Sequence, residues 1–541
     1  MLNTIRSAPL GKSRFSSGKT KLFFLLTGIL MLFNLQAFAN NIQVNNAALF
    51  AQVPSGNYTY VQFDLSWENS WRDAVNWDAA WVFVKFKASY DTTWKHATLF
   101  TSGHVIPNSY TGAPTADGKG IFIYRPVNGN GNVSLISTYL KWNYGADGVN
   151  DGDLVQVKVF AIEMVYIPQG SFYAGDGTSN PVFGQFSQGN TTAPFLITSE
   201  GALTLGGTPV TNLGSRNSIN MSPVDDFNII TTQNLPAVFP KGYNDFYCMK
   251  YEISQGQYTE FLNTLTRTQQ QRRVESNIST DVITNIYVMF NSISITNRNV
   301  IACPGSGNGT IPPIIFSCNR QDRACNFLEW QDGAAYSDWA GLRPMTTLEF
   351  EKTCRGPITP VANEYAWGTV NITAATTISG TENGTETITT VNANCNYNNN
   401  PFSGGDGSQG PLRCGIFAKV STTREQAGAT YYGVMEMSGN VSEGTVAVGN
   451  PTGRLFDGVN GDGILSTLGN ANVSNWPGLL SGEVIGSAGA GMRGGSWPLS
   501  FYFSRTSDRG WDNNNAGART MHQGFRSVRT SEVGTLKPNN K

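Results

Sequence analysis

The chain has 541 residues with Lys+Arg 37 against Asp+Glu 38, a net charge of −1. That balance gives no global field to draw it to nucleic acid or to an anionic membrane, and no basic stripe or long charge run breaks it, so nucleic-acid binding is excluded. Charged residues are only 14% and glycines number 59, a mix that suits a loop-rich exported fold, and the length asks for two folded units rather than one.

At the N-terminus, Lys12, Arg14, Lys19 and Lys21 precede an apolar run from Leu22 to Leu35, and Ala37-Phe38-Ala39 places small residues around a cleavage point. This pattern predicts a secretory signal peptide over 1–39. The run is too short to span a bilayer comfortably. No cysteine follows the cleavage point to carry a lipid. The expected location is periplasmic or extracellular, including the cell surface, with nothing embedded in the membrane.

Residues 40–162 predict an all-β, sandwich-like domain. Val61, Phe63, Leu65 and Trp67 alternate with polar neighbours, and Trp81 to Lys87, Leu99-Phe100, Ile121 to Tyr124, Val133 to Tyr139 and Leu154 to Ile162 supply further strands between glycine-rich turns. Trp67, Trp71, Trp77, Trp81 and Trp94 crowd into this stretch. Core and rim packing is the simpler reading, and a sugar-stacking platform is the alternative. Asp147, Asn150, Asp151 and Asp153 sit in a turn. It reads as a solvated turn first and as a calcium loop second. Asn460-Gly461-Asp462-Gly463 is treated alike, because the remaining ligands of a calcium-binding helix–loop–helix are missing.

From Met164 the pattern changes. Met164 to Phe172 is a strand running into a turn, and Ala174 to Gly242 reads as loop. Ser254 with Gln257 forms a capping box ahead of Tyr258, Phe261, Leu262 and Leu265 at helical spacing. A second helix is expected over Trp330 to Ala340. A third, capped by Thr346 with Glu349, ends at Gly356-Pro357. Few helices among short strands and long loops predict an α+β fold.

The seven cysteines are Cys248, Cys303, Cys318, Cys325, Cys354, Cys395 and Cys414. An odd count in an exported chain leaves at least one thiol outside any intrachain disulfide. Cys303–Cys318 and Cys395–Cys414 are the simplest pairs, since each brackets a loop. Only His96, His104 and His522 could supply imidazole ligands. They come from opposite ends of the chain, so no histidine metal site is expected.

Five stretches, in order, resemble the formylglycine-generating enzyme (sulfatase-modifying factor) family. They are Met164 to Phe172; Lys250 to Tyr258 with Phe261-Leu262; Trp330 to Trp339 with Leu342 to Lys352 and Arg355-Gly356; Tyr432 to Glu443; and Met492 to Trp497 with Arg509 and Gly524-Phe525-Arg526. The resemblance implies a C-type-lectin-like domain with irregular loops over 163–531, followed by a tail at 532–541. In the family, two cysteines after the Gly-Gly-Ser-aromatic turn hold copper for the oxidation of a substrate cysteine, because soft sulfur selects Cu(I). Here those positions are Leu499 and Ser504, and no cysteine follows Cys414. Copper is therefore not expected, and the domain reads as a pseudoenzyme.

The family's structural calcium site, carried over, falls on Glu436, the carbonyls of Gly439 and Val441, and Glu443. A bare turn is the alternative there, and Ser442 stands where the family has tryptophan. Arg493, Arg509 and Arg526 are expected in structural roles. The functional expectation is a non-catalytic binding or structural module whose ligand is a glycan, a peptide or a surface protein. The alternative is a formylglycine-generating or related peptide-modifying oxidoreductase.

Overall fold

A computed structural model describes residues 41–178, 183–216, 227, 230–512 and 517–531. The expected signal peptide and C-terminal tail lie outside the described residues. Within them the chain is mostly β, with four α-helices: α1 Gln255–Leu262, α2 Arg267–Arg273, α3 Trp330–Trp339 and α4 Thr347–Arg355.

One 11-stranded sheet runs through the whole molecule. Its order is Ala490–Arg493, Ser442–Val446, Arg343–Thr346, Ser527–Thr530, Phe246–Met249, Val155–Ile167, Asp78–Ala88, Ile121–Tyr124 and Thr111–Pro114, with two short strands pairing off this path. Val155–Ile167 is the hinge of that order. On one edge it pairs antiparallel with the whole of Asp78–Ala88. On the other edge its last residues, Met164 to Ile167, pair with Met249 to Phe246. The strands expected on either side of residue 162 are therefore one strand, and no linker stands at 162/163. From Val159 to Ile167 only Glu163 interrupts its apolar residues, as expected for a segment covered on both faces.

In front, Gln43–Val53, Tyr58–Arg72 and Gly129–Trp142 form a separate three-stranded sheet. Val61, Phe63, Leu65 and Trp67 project from it onto Ala80, Val82, Val84 and Phe86 of the long sheet, in one apolar cluster. Period-2 alternation thus produces two sheets packed face to face. Leu99 makes only an isolated bridge to Trp142, so it is no strand. The opposite face of the long sheet, including Phe83 and Phe160, meets Phe261 and Trp339 of α1 and α3 in the main core.

The three expected helices form, and the Ser254/Gln257 and Thr346/Glu349 capping boxes close as expected. A fourth, α2, is capped by Thr266 with Gln269. Its polar sequence gave no apolar stripe, but the capping box was there to find. Residues expected as loop between Ala174 and Gly242 instead form a small sheet of Phe186–Gln188, Leu213–Ser215, Leu203–Gly206 and Thr232–Leu235. Strands of three or four residues are too short to leave a readable period.

All seven cysteines are free. The expected Cys303–Cys318 and Cys395–Cys414 pairs do not form, because each would join different packing environments. Cys303 lies in the main core while Cys318 lines a surface cavity. Cys395 packs with Tyr365 and Trp367, and Cys414 with Tyr251 and Val441. No helix among the described residues is long and apolar enough to cross a membrane.

Candidate functional site

The Gly-Gly-Ser-Trp turn is assembled from backbone contacts between distant loops. Gly439 N–H donates to Gly494 O at 2.7 Å, and Trp497 N–H to Asn440 O at 2.9 Å. Ser442 Oγ donates to Gly495 O at 2.9 Å. Gly495 has φ of +66°, and a Cβ there would stand 2.6 Å from Ser504 Oγ, so both conformation and space demand glycine. At the closing motif, the ring of Phe525 leans on Gly333 of α3, where a Cβ would come within 1.9 Å of it.

Three buried arginines hold this frame. Arg526 donates to Met249 O at 2.8 Å, to Met435 O at 2.7 Å and to Glu443 Oε1 at 3.1 Å. Arg493 donates to Glu351 Oε1 at 3.0 Å and to Thr506 O at 2.7 Å. Arg509 donates to Asp512 Oδ2 at 2.8 Å and to Gly184 O at 2.7 Å. Each guanidinium has a fork of fixed donors, and here the forks are spent on loop carbonyls and buried carboxylates. Arg493 Nε is buried without a hydrogen-bond partner, and the contacts named above give the three arginines structural roles.

Leu499 and Ser504 do not share an open cleft. Leu499 is half-buried and lines a cavity of about 10 Å³ with Ser442, Arg493, Phe503, Asp508 and Trp511. That volume holds about one water molecule. Ser504 is fully buried, and its carbonyl accepts from Ser438 Oγ at 2.7 Å. The thiol beside Ser504 is Cys395, whose Sγ donates to Ser438 O at 3.1 Å. Burial pushes that thiol far above its ordinary range, so it stays protonated. A leucine, a serine and one protonated thiol do not make a Cu(I) thiolate site, so the residues do not fit copper.

The other expected positions gather around Arg526. Glu436 and Glu443 are buried, and burial pushes both carboxyls up, to about 7. Glu436 Oε1 accepts from Gly415 N at 2.7 Å, and Glu443 Oε1 from Arg526. Their second oxygens, Glu436 Oε2 and Glu443 Oε2, have no hydrogen-bond partner. Gly439 and Asn440 carry the tight turn between them, with φ of 86° and 60°. Val441 N–H donates to Glu252 Oε1 at 2.9 Å. No group of three or more His, Cys, Asp or Glu among the described residues could hold a metal. A cation here would take two carboxylates and complete its shell from carbonyls, a donor set that fits a hard ion.

Glu252 is the residue the sequence reading missed. Its carboxylate accepts from Asn440 Nδ2 at 2.6 Å and from Val441 N, and burial, with nearby Glu443 and Glu436 adding to it, raises its pKa. The signal was present, since Glu252 lies inside the Lys250–Tyr258 motif.

The acidic residues of the two loops weighed for calcium are engaged by their own hydrogen bonds. Asp147 accepts from Thr98 and Trp142, Asp151 from Tyr144, and Asp153 from Asn150 and Tyr90. Asn460 Oδ1 accepts from Thr530 N, and Asp462 Oδ1 from Ile464 N. The histidines stand apart: His96 packs on Phe83, His104 bonds to Phe100 O, and His522 sits edge-on to Trp511 with its pKa held down to about 4 by burial.

Fold and site together define a mostly β protein whose glycine-rich loops are locked by buried arginine–carboxylate contacts. The chain belongs to the formylglycine-generating enzyme, or sulfatase-modifying factor, family: the family described as "Sulfatase-modifying factor enzyme 1-like domain" matches residues 153–531, well over half of its length. The match begins at 153 rather than 163 and takes in the whole shared strand. No curated protein matches the chain.

Proposed function

We propose that this is an exported, non-catalytic binding or structural module built on a C-type-lectin-like frame. The observation that carries the reading is the filled space at Leu499. A cavity of about 10 Å³ cannot admit a peptide side chain and an oxygen molecule together, and the donors around it are not thiolates. The buried arginines serve the loops, and function on such a frame resides in its outer loops and seams. A glycan, a peptide or a surface protein is the ligand class.

Calcium is the proposed structural ion, held by Glu436 and Glu443 with the carbonyls of Gly439 and Val441. Its support is the pair of buried carboxylate oxygens without a partner. Such a pair costs stability unless a cation or protons neutralise it.

Purified mature protein should carry no stoichiometric copper, and it should form no aldehyde from a Cys-x-Pro-x-Arg peptide under oxygen. Stoichiometric copper with aldehyde product would sink the proposal. Calcium should raise the melting temperature at neutral pH, and an identical melting curve with chelator would remove the ion.

A further inference from the structure

Cavities of about 440 and 450 Å³ open away from Leu499 and Ser504. The larger opens at the seam between the front β layer and the family domain. Its walls come from three places: Phe86 and Trp94 from the front layer, Leu265 and Trp339 from the helical region, and the loop at 463–467. Pockets of this size, mainly apolar with a few polar groups and set between structural units, are typical of small-ligand sites.

The third wall is held from both sides. Lys85 Nζ, reaching from the strand Asp78–Ala88, donates to Gly463 O at 2.9 Å. Gln269 Nε2 of α2 donates to Ser466 O at 2.9 Å. Gly463 has φ of +81° and lies so close to the His96 ring that a Cβ would stand 2.1 Å from Nδ1. The loop therefore docks on the front layer only as glycine, and the pocket is formed before any ligand arrives.

Two charged residues of the lining, Lys95 and Asp147, already have partners. Lys95 is engaged by Asp91 at 2.7 Å. Asp147 is spent on Thr98 N, Thr98 Oγ1 and Trp142 Nε1 at 2.8, 2.7 and 2.6 Å. Trp94 is half-buried at the rim, steadied by Lys158 Nζ at 4.8 Å from its ring centre. Thr93 and Thr467 also line the cavity. Of the six tryptophans of the front layer, Trp67, Trp81 and Trp142 are core, Trp77 stacks on Tyr166 at 4.1 Å, and Trp71 packs against an internal cluster. Trp94 is the one placed on an open cavity.

We propose that this seam cavity binds a neutral sugar ring, stacked on Trp94 and hydrogen-bonded by the threonine rim. The proposal rests on the binding-module reading and gives its glycan a place. A flat ring with an apolar face and hydroxyl edges matches an aromatic wall with a polar rim.

The test is titration of the full mature protein with glucose, galactose, N-acetylglucosamine, cellobiose and lactose, followed by tryptophan fluorescence. At least one sugar should give a saturable change. Trp94→Ala should weaken that sugar about tenfold or more, with the melting temperature held. Ile464→Trp, a change at a largely exposed position of the third wall, should block the cavity and abolish the response. No saturable change with any of the five sugars would overturn the proposal, as would unchanged affinity in both variants. Saturable binding of decanoate without any sugar would overturn it in favour of an acyl chain. Failure of the sugars with no aldehyde formed leaves the non-catalytic reading standing, whereas copper-dependent aldehyde formation removes that reading whatever the sugars do.

Discussion

The front β layer and the arginine-centred loops of the family domain reach full burial by opposite means. In front, Val61, Phe63, Leu65 and Leu135 lock two sheets together mainly by apolar contacts, with buried Asp78 accepting from Trp67 and Ser70 at one end. Around Arg526, a guanidinium and three carboxylates are taken out of water to fix loops that have few regular hydrogen bonds. Apolar packing degrades gradually when trimmed. A buried ionic centre fails abruptly when one partner goes, because the other is left charged in a low-dielectric site.

The largest effect should come from Arg526→Met, which strands Glu443, Glu252 and Glu436. A loss of about 3–5 kcal/mol is expected in urea unfolding. Adding Glu443→Leu should recover part of it, since the uncompensated charge nearest the gap is gone. A loss in Arg526→Met smaller than that of a front-layer truncation would break the contrast.

That truncation is Leu135→Ala, a fully buried side chain of the front sheet. It should cost about 3 kcal/mol, the sum of lost burial and the cavity left behind.

A third, smaller effect concerns pH. The buried carboxyls of Glu436 and Glu443, and those of Asp338 and Asp508, are pushed up to about 7. The unfolded chain releases these protons in the ordinary carboxyl range, so the folded state holds protons that the unfolded state has lost. Their contribution is complete below the ordinary range and is lost as pH rises towards 7. His96, His104 and His522, all held down by burial, work the other way below the ordinary imidazole value, but the raised carboxyls outnumber them. With chelator present, the melting temperature should fall as pH rises from 5 to 7. Glu436→Gln should flatten that fall. If calcium binds as proposed, its stabilising increment should grow over the same range, as the carboxylates lose their protons, and should shrink in Glu436→Gln. A chelated protein that gains stability over this range would contradict the assignment.

The smallest effect is chemical. Without reductant, iodoacetamide should label Cys318 first, because it alone among the seven thiols is half-exposed. In denaturant, intact mass should then show seven adducts. Fewer adducts would mean that disulfides form after all.

The motifs of the family domain and the alternation of the front layer were legible because they are local. A capping box needs residues three apart, and a half-buried strand repeats every second position. The replacement of the copper cysteines by Leu499 and Ser504 was equally plain in one dimension. Other features depended on the fold. Whether the space beside Leu499 is open depends on Phe503, Asp508 and Trp511 closing around it. Disulfide pairing depends on which cluster each thiol enters, not on loop length. The strand Val155–Ile167 read as two because its front portion serves one neighbour and its end another. Trp94 differs from its four neighbouring tryptophans only in what lies across from it, and that wall comes from residues hundreds of positions away. The sequence by itself determined the family, the local elements and the missing thiolates, since each is set by residue type and spacing. Tertiary structure alone decided where space remains and which charges meet, because burial and Coulomb energy depend on distances that chain order does not specify.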